Sequence, residues 1–260
     1  INKLNRNWNE AFPIPIKLPK KQFDLPMKSL QRTSFQKLTL TSLIILFAIL
    51  CHAQIGPTVR KNIPLDSIRL SDPFILADQK TQQYYMTGTG GILWKSKDMK
   101  FWEGPYRVTQ TDPDSWMGPR PMIWAAELFN YHDKYYYFAT FTNRNVKIDT
   151  VAGNVIERRA SHVLVSDEPD GPYVPMQDPT YLPADKPTLD GTFWVDTDGK
   201  PYMVYCYEWL QNLNGTMEKI ELKPDLSGSV GEGKLLFKAS NSPWSREKDA
   251  NGNDVPNKVT

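Results

Sequence analysis

Three stretches of this sequence repeat one plan. SDPFILADQKTQQYYMTGT from Ser71, AAELFNYHDKYYYFATFT from Ala125 and LDGTFWVDTDGKPYMVYCY from Leu189 each run from an acidic residue through an apolar strand and a polar turn to a Tyr-rich strand. Further strand signals follow each hairpin, in GILWKSKDMKFWEGPY, SHVLVSDEPDGPY and TMEKIELKPDLSG. The leading acids Asp72, Glu127 and Asp190 stand 55 and 63 residues apart. A four-stranded unit recurring at that length is the signature of a β-propeller blade, whose faces are buried by its neighbours around a central channel. From Gln54 onward helical periodicity is nearly absent, and short aromatic and β-branched runs alternate with Gly, Pro, Asp and Asn. The expectation is an all-β fold. Residues 54–260 hold three blades and the opening of a fourth, whereas closure needs four or more. The sequence therefore reads as a partial propeller that stops before blade four.

The first 53 residues read differently. Residues 1–26 precede the first Met, Met27, and are set aside as an upstream, non-native segment. Lys28, Arg32 and Lys37 then lead into the apolar run Leu38 to Leu50, followed by Cys51-His52-Ala53. This is the layout of a secretory signal peptide over 27–53, cleaved after Ala53, which predicts a secreted or periplasmic protein. The 13-residue apolar run is shorter than a bilayer span of about 20 residues, so no stable membrane span is expected after cleavage. Lipoprotein anchoring at Cys51 is the alternative, and the bulky Leu50 argues against it. The first 53 residues carry 8 of the 31 basic and 2 of the 29 acidic residues, leaving 23 against 27, a net charge of −4. No basic patch then remains for a nucleic-acid partner. Cys206 alone survives cleavage, so the exported chain has no internal disulfide.

In a propeller the innermost strand of each blade lines the axis, so residues that open those strands converge on one rim. By the repeat alignment these are Asp72, Glu127 and Asp190. Like charges gathered there raise one another's pKa. Paired carboxyl groups, one charged and one protonated, are the machinery of glycoside hydrolysis. Tryptophans suit the same work by stacking on sugar rings. Trp124 beside Glu127 and Trp209 beside Glu208 are the best candidates to face sugar, with Trp194 a further candidate on the third inner strand.

Together SDPFILAD, IWAAELF and LDGTFWVDTDGKPYMVY resemble the first three blades of glycoside hydrolase family 43 over roughly Pro64 to Trp209. The resemblance implies a five-bladed propeller acting on arabinose- or xylose-containing plant polysaccharide with inversion. By position Asp72 resembles the family's base and Asp190 its orienting and tuning residue. Glu127 matches the family's Trp-Ala-Pro-acid motif, with Ala126 where Pro is usual, and is expected to support substrate binding. The family's general acid usually opens the inner strand of blade four, beyond Thr260, so the fragment itself is expected to be inactive. Glu208 is the candidate acid within the chain. The resemblance requires no cofactor and allows a structural calcium ion in the central channel. A non-catalytic carbohydrate-binding propeller is the alternative reading.

Other signals carry less. His132 and His162 lack metal-ligand spacing, and His162 is expected in a core or surface role. Asp249, Asn251 and Asn253 mimic a calcium loop, but Asp254 replaces its obligatory glycine. Gly88-Thr89-Gly90-Gly91 has no helix after it and reads as a strand connection rather than a phosphate cradle.

Overall fold

The computed structural model describes residues 57–151, 153–176, 181–209, 212–242 and 251. The leader expected over 27–53, the segment before it, Trp244 and the side chain of Trp209 lie outside the described residues.

Three antiparallel sheets follow one another along the chain. In the first, β2 (Phe74–Asp78), β3 (Gln83–Thr87), β4 (Ile92–Ser96) and β5 (Phe101–Arg107) form a meander. A fifth strand, β1 (Arg60–Pro64), pairs with β5 on its outer side. The four-strand repeat did not foresee it, because RKNIP is short, polar and exposed and carries no alternation. The second sheet runs β6 (Met122–Tyr131), β7 (Lys134–Val151), β8 (Asn154–Ser166) and the two-residue β9 (Val174–Pro175). The third runs β10 (Leu189–Val195), β11 (Pro201–Trp209), β12 (Asn212–Leu222) and β13 (Ser229–Lys238). The expected hairpin turns are in place. The Asp196–Lys200 turn closes through the Asp196 amide on the Lys200 carbonyl at 2.9 Å.

The strand β7 shows why the tyrosine run lacks a polar face. Successive side chains on a strand point to opposite sides. Tyr135, Tyr137, Ala139 and Phe141 pack toward the first sheet, against Tyr85 and Leu93. Tyr136 and Phe138, one residue out of phase, pack toward the third, against Met203 and Tyr205. A strand buried on both faces needs apolar residues throughout, which is what YYYFATF supplies. The first interface is also tied by the Tyr135 hydroxyl, which donates to Asp78 Oδ1 at 2.9 Å. Burial works against the Asp78 charge, but this bond and two from Thr81 outweigh it and hold the carboxyl below its ordinary value.

His162 belongs to this packing. It is 1% exposed, edge-on to Trp116, Phe141 and Tyr181. Burial, then the nearby Arg158 charge, push its pKa down to about 3, so it stays neutral. Past Asn143↔Arg158, β7 and β8 continue as a long, largely exposed hairpin through Lys147↔Glu157 to Val151↔Asn154, with Ile156 buried. On the third sheet, Trp194, Leu235 and Phe237 are exposed.

Candidate active site

The inner strands β2, β6 and β10 are neighbours, with β6 contacting both others. Their openings share a backbone device. Asp72, Ala125 and Asp190 have positive φ of 52°, 42° and 49°. Each lies two residues before Phe74, Glu127 and Thr192 respectively, where regular pairing begins or resumes. In β6 and β10 this is a bulge, marked by register shifts between Trp124 and Glu127 and between Leu189 and Thr192. A bulge turns its side chain out of the ladder, here toward the cavity. The equivalent of Asp72 and Asp190 in the second sheet is therefore Ala125, not Glu127. Matching acid to acid in the sequence put the second repeat two residues out of phase.

A hydroxyl from the preceding sheet caps each bulge. Thr89, in the turn between β3 and β4, accepts the Ala125 amide at 3.0 Å. Thr140, on β7, accepts the Asp190 amide at 2.7 Å. The next amide, that of Gly191, donates to Ser161 Oγ at 3.0 Å. A Cβ at Gly191 would sit 2.6 Å from the Ser161 Cβ, so this close approach requires glycine.

These openings enclose a cavity of about 380 Å³ lined by Asp72, Trp124, Ala125, Arg159, Leu189, Asp190 and Glu208. Asp72, Asp190, Glu208 and Trp124, all read as site residues from the sequence, thus meet in one place. Asp190 keeps solvent contact through the open cavity, yet crowding by protein, then the charge of Asp72, push its carboxyl above the ordinary value. Arg159 and Thr140 pull the other way without cancelling this. Glu208, at the end of β11, is raised by burial first and by the Asp190 charge second.

Two residues assigned to substrate binding lie elsewhere. Glu127 is outside the cavity lining; its Oε2 accepts the Thr192 hydroxyl at 2.6 Å and so ties β6 to β10. Burial and then Asp190 raise its carboxyl, partly offset by Thr192. Trp194 is 56% exposed and pairs with Tyr202 beside the hairpin turn. It sits about 13 Å along the strand from Asp190 at roughly 3.3 Å per residue, which removes it from the cavity. Of Trp209, only its backbone at the end of β11 is described.

Arg159 was not anticipated. It lies on β8, and its Nε donates to Thr142 Oγ1 at 3.1 Å. The same oxygen accepts Trp124 Nε1 at 3.3 Å, so one hydroxyl orients both the cation and the indole. Burial lowers the Arg159 pKa, an effect opposed by Glu157 and Asp190. The guanidinium nevertheless remains charged. The only sequence signal is the pair Arg158-Arg159 in a strand. Arg158 turns inward, buried over the Trp116 ring at 4.8 Å, while Arg159 reaches the cavity.

Among the described residues, no three His, Cys, Asp or Glu side chains gather to hold an ion. Nor is any described helix long and apolar enough to cross a membrane.

Comparison with known proteins agrees with this geometry. No curated protein matches the chain. Among solved structures it is similar to an endo-arabinase from Bacteroides thetaiotaomicron VPI-5482, with 34% identity and a TM-score of 0.61 over 75% of this chain and 65% of that one. Two others share the fold at 18% identity. They are a thermostable family-43 glycoside hydrolase (TM-score 0.51, 74% and 57% covered) and an endo-1,4-beta-xylanase from B. thetaiotaomicron VPI-5482 (TM-score 0.50, 76% and 60%). The chain thus spans less than two thirds of each of these three proteins. A family model, glycosyl hydrolases family 43, matches residues 62–257, and the chain belongs to that family.

Proposed function

We propose that this chain carries part of the active site of a secreted glycosidase that hydrolyses arabinose-containing plant polysaccharide, with xylose-containing polymers as the second substrate class. One observation carries the reading. Two carboxylates from matching strand openings share a cavity with a tryptophan, an arginine and a third carboxyl that is pushed toward its protonated form. In this reading Asp72 takes a proton from water as the water oxygen bonds to the anomeric carbon. The glycosidic C–O bond breaks, and the departing oxygen receives a proton from a carboxylic acid. Within the described residues Glu208 is the candidate donor, since burial and Asp190 both favour its protonated form. Asp190 acts through its charge, raising the acid and being raised by the base. Attack by water from the face opposite the leaving group inverts the anomeric centre. Trp124, fixed through Thr142, offers its indole face to the sugar ring.

The arabinan preference rests on the 34% identical endo-arabinase. Export rests on the signal-like segment 27–53. The three sheets are read as the first three blades of a five-bladed propeller. The test is to incubate the full-length protein with debranched arabinan and with xylan, following reducing ends and the anomer first released by proton NMR. Release of the inverted anomer from arabinan is expected. The retained anomer removes the inverting mechanism, and oligosaccharide binding without turnover favours a carbohydrate-binding module.

A further inference from the structure

The turn between β3 and β4 does more than connect strands. Its backbone clasps two sheets: the Thr89 amide donates to the Ser71 carbonyl at 3.0 Å, and the Gly90 amide donates to the Ile123 carbonyl at 2.8 Å. The approach is close enough that a Cβ at Gly88 would lie 2.5 Å from the Ser71 oxygen and 2.8 Å from that of Asp72. The Thr89 side chain sits at the centre of this clasp. Its Oγ1 is 2.6 Å from Asp72 Oδ2 and 3.0 Å from the Ala125 nitrogen.

The direction of both bonds follows from proton count. The Ala125 amide can only donate, so it occupies a lone pair of the hydroxyl. The single hydroxyl proton is then given to the carboxylate, which can only accept. The hydroxyl is used as both donor and acceptor, and the arrangement has one sense. Ala125 directly follows Trp124, so the hydroxyl joins the carboxylate of the first sheet to the strand that carries the indole. The joint between the second and third sheets differs. There Thr140 binds the amide of Asp190 itself and also steadies that residue's own carboxylate.

We infer that Thr89 is a positioning residue for the hydrolytic step, holding the Asp72 carboxylate at a fixed distance and angle from the sugar platform at Trp124. The inference rests on the reading of Asp72 as base. With Oδ2 committed to Thr89, Oδ1 is the oxygen that receives the proton of the attacking water. A small misplacement of a reacting group is enough to slow catalysis by about 100-fold. Loss of the hydroxyl therefore lowers kcat while the cavity continues to bind sugar. The backbone clasp does not use the side chain, so removing the hydroxyl keeps both of its bonds and costs the joint only the Ala125 contact.

The test compares wild type, Thr89→Val, Thr89→Ser and Asp72→Asn in the full-length enzyme on arabino-oligosaccharides, well below each melting temperature. Thr89→Val is expected to lower kcat by on the order of 10- to 100-fold with KM within about threefold, and Thr89→Ser to restore most of the loss. If Thr89→Val does not fold, Thr89→Cys takes its place, keeping the size but offering a weak donor, with an intermediate kcat expected. Unchanged kcat in Thr89→Val or Thr89→Cys beside an inactive Asp72→Asn overturns the positioning role alone. So does a loss that Thr89→Ser fails to restore. Full turnover in Asp72→Asn, or none in wild type, overturns the base reading and this inference with it.

Discussion

The second and third inner strands open with the same backbone and different side chains. Ala125 and Asp190 both stand at a bulge with positive φ, and each amide is held by a threonine from the preceding sheet. One position carries a methyl group, the other a carboxylate pushed up by its surroundings. The bulge and its threonine cap are therefore devices of architecture, since they persist where no charge is present. The carboxylate is an addition to them. At Ala125 the methyl leaves room for the indole of Trp124 and the cation of Arg159, which line the cavity on that side. Carboxylates thus flank a platform that carries none at its own bulge.

Neutralising Asp190 should have the largest effect within this comparison. Asp190→Asn retains a residue that tolerates positive φ but removes the charge that raises Glu208. Turnover is expected to fall by about 100-fold, within the range for loss of an acid–base contribution, with a smaller change in KM. Steady-state kinetics on arabino-oligosaccharide checks this, and kcat within a factor of three of wild type breaks the comparison.

The same substitution sharpens the account through stability. The folded Asp190 carboxyl lies above its ordinary value, so the folded state keeps a proton that the unfolded chain has already lost. Stability from this group is fully present below the unfolded value of about pH 4 and is lost as pH rises through the folded one. Asparagine has no such proton. Asp190→Asn should therefore gain in melting temperature relative to wild type across that window, by a margin that grows as pH rises. Thermal unfolding across pH reads the difference, and a gap that shrinks as pH rises contradicts the raised carboxyl.

The smallest effect is expected at Ala125. Alanine at positive φ is strained, and glycine relieves the strain at the cost of a more flexible unfolded chain. Ala125→Gly should stabilise by roughly 0.5 kcal/mol, raising the melting temperature by about 1 °C. Marked destabilisation would mean that the methyl packs more than its place in the cavity suggests.

Much of the fold was legible because the sheets bury Tyr, Phe, Met and Leu in strands of regular length, with Gly, Asp and Asn at the turns. Asp72 and Asp190 were legible for the same reason, standing just before the first apolar residues of their strands. Glu127 misled because an aligned acid is a chemical match, whereas the bulge is a backbone event and is silent in the residues Ala125-Ala126. Arg159 was hidden for a topological reason. It lies on the third strand of its sheet, next to the polar extension of β7 and β8, and reaches the cavity only because its strand passes Thr142. Trp194 was judged by residue type alone, while its register beside Tyr202 places it at the far end of the strand.

The most direct test of the central claim is turnover and sugar affinity of Asp72→Asn, measured on one preparation of the full-length protein. The account predicts that hydrolysis falls by at least about 1,000-fold, near the upper range for a general base, while calorimetry shows oligosaccharide affinity within a few-fold of wild type. Hydrolysis that survives the substitution would contradict the assignment of Asp72 and the paired-carboxylate site built upon it.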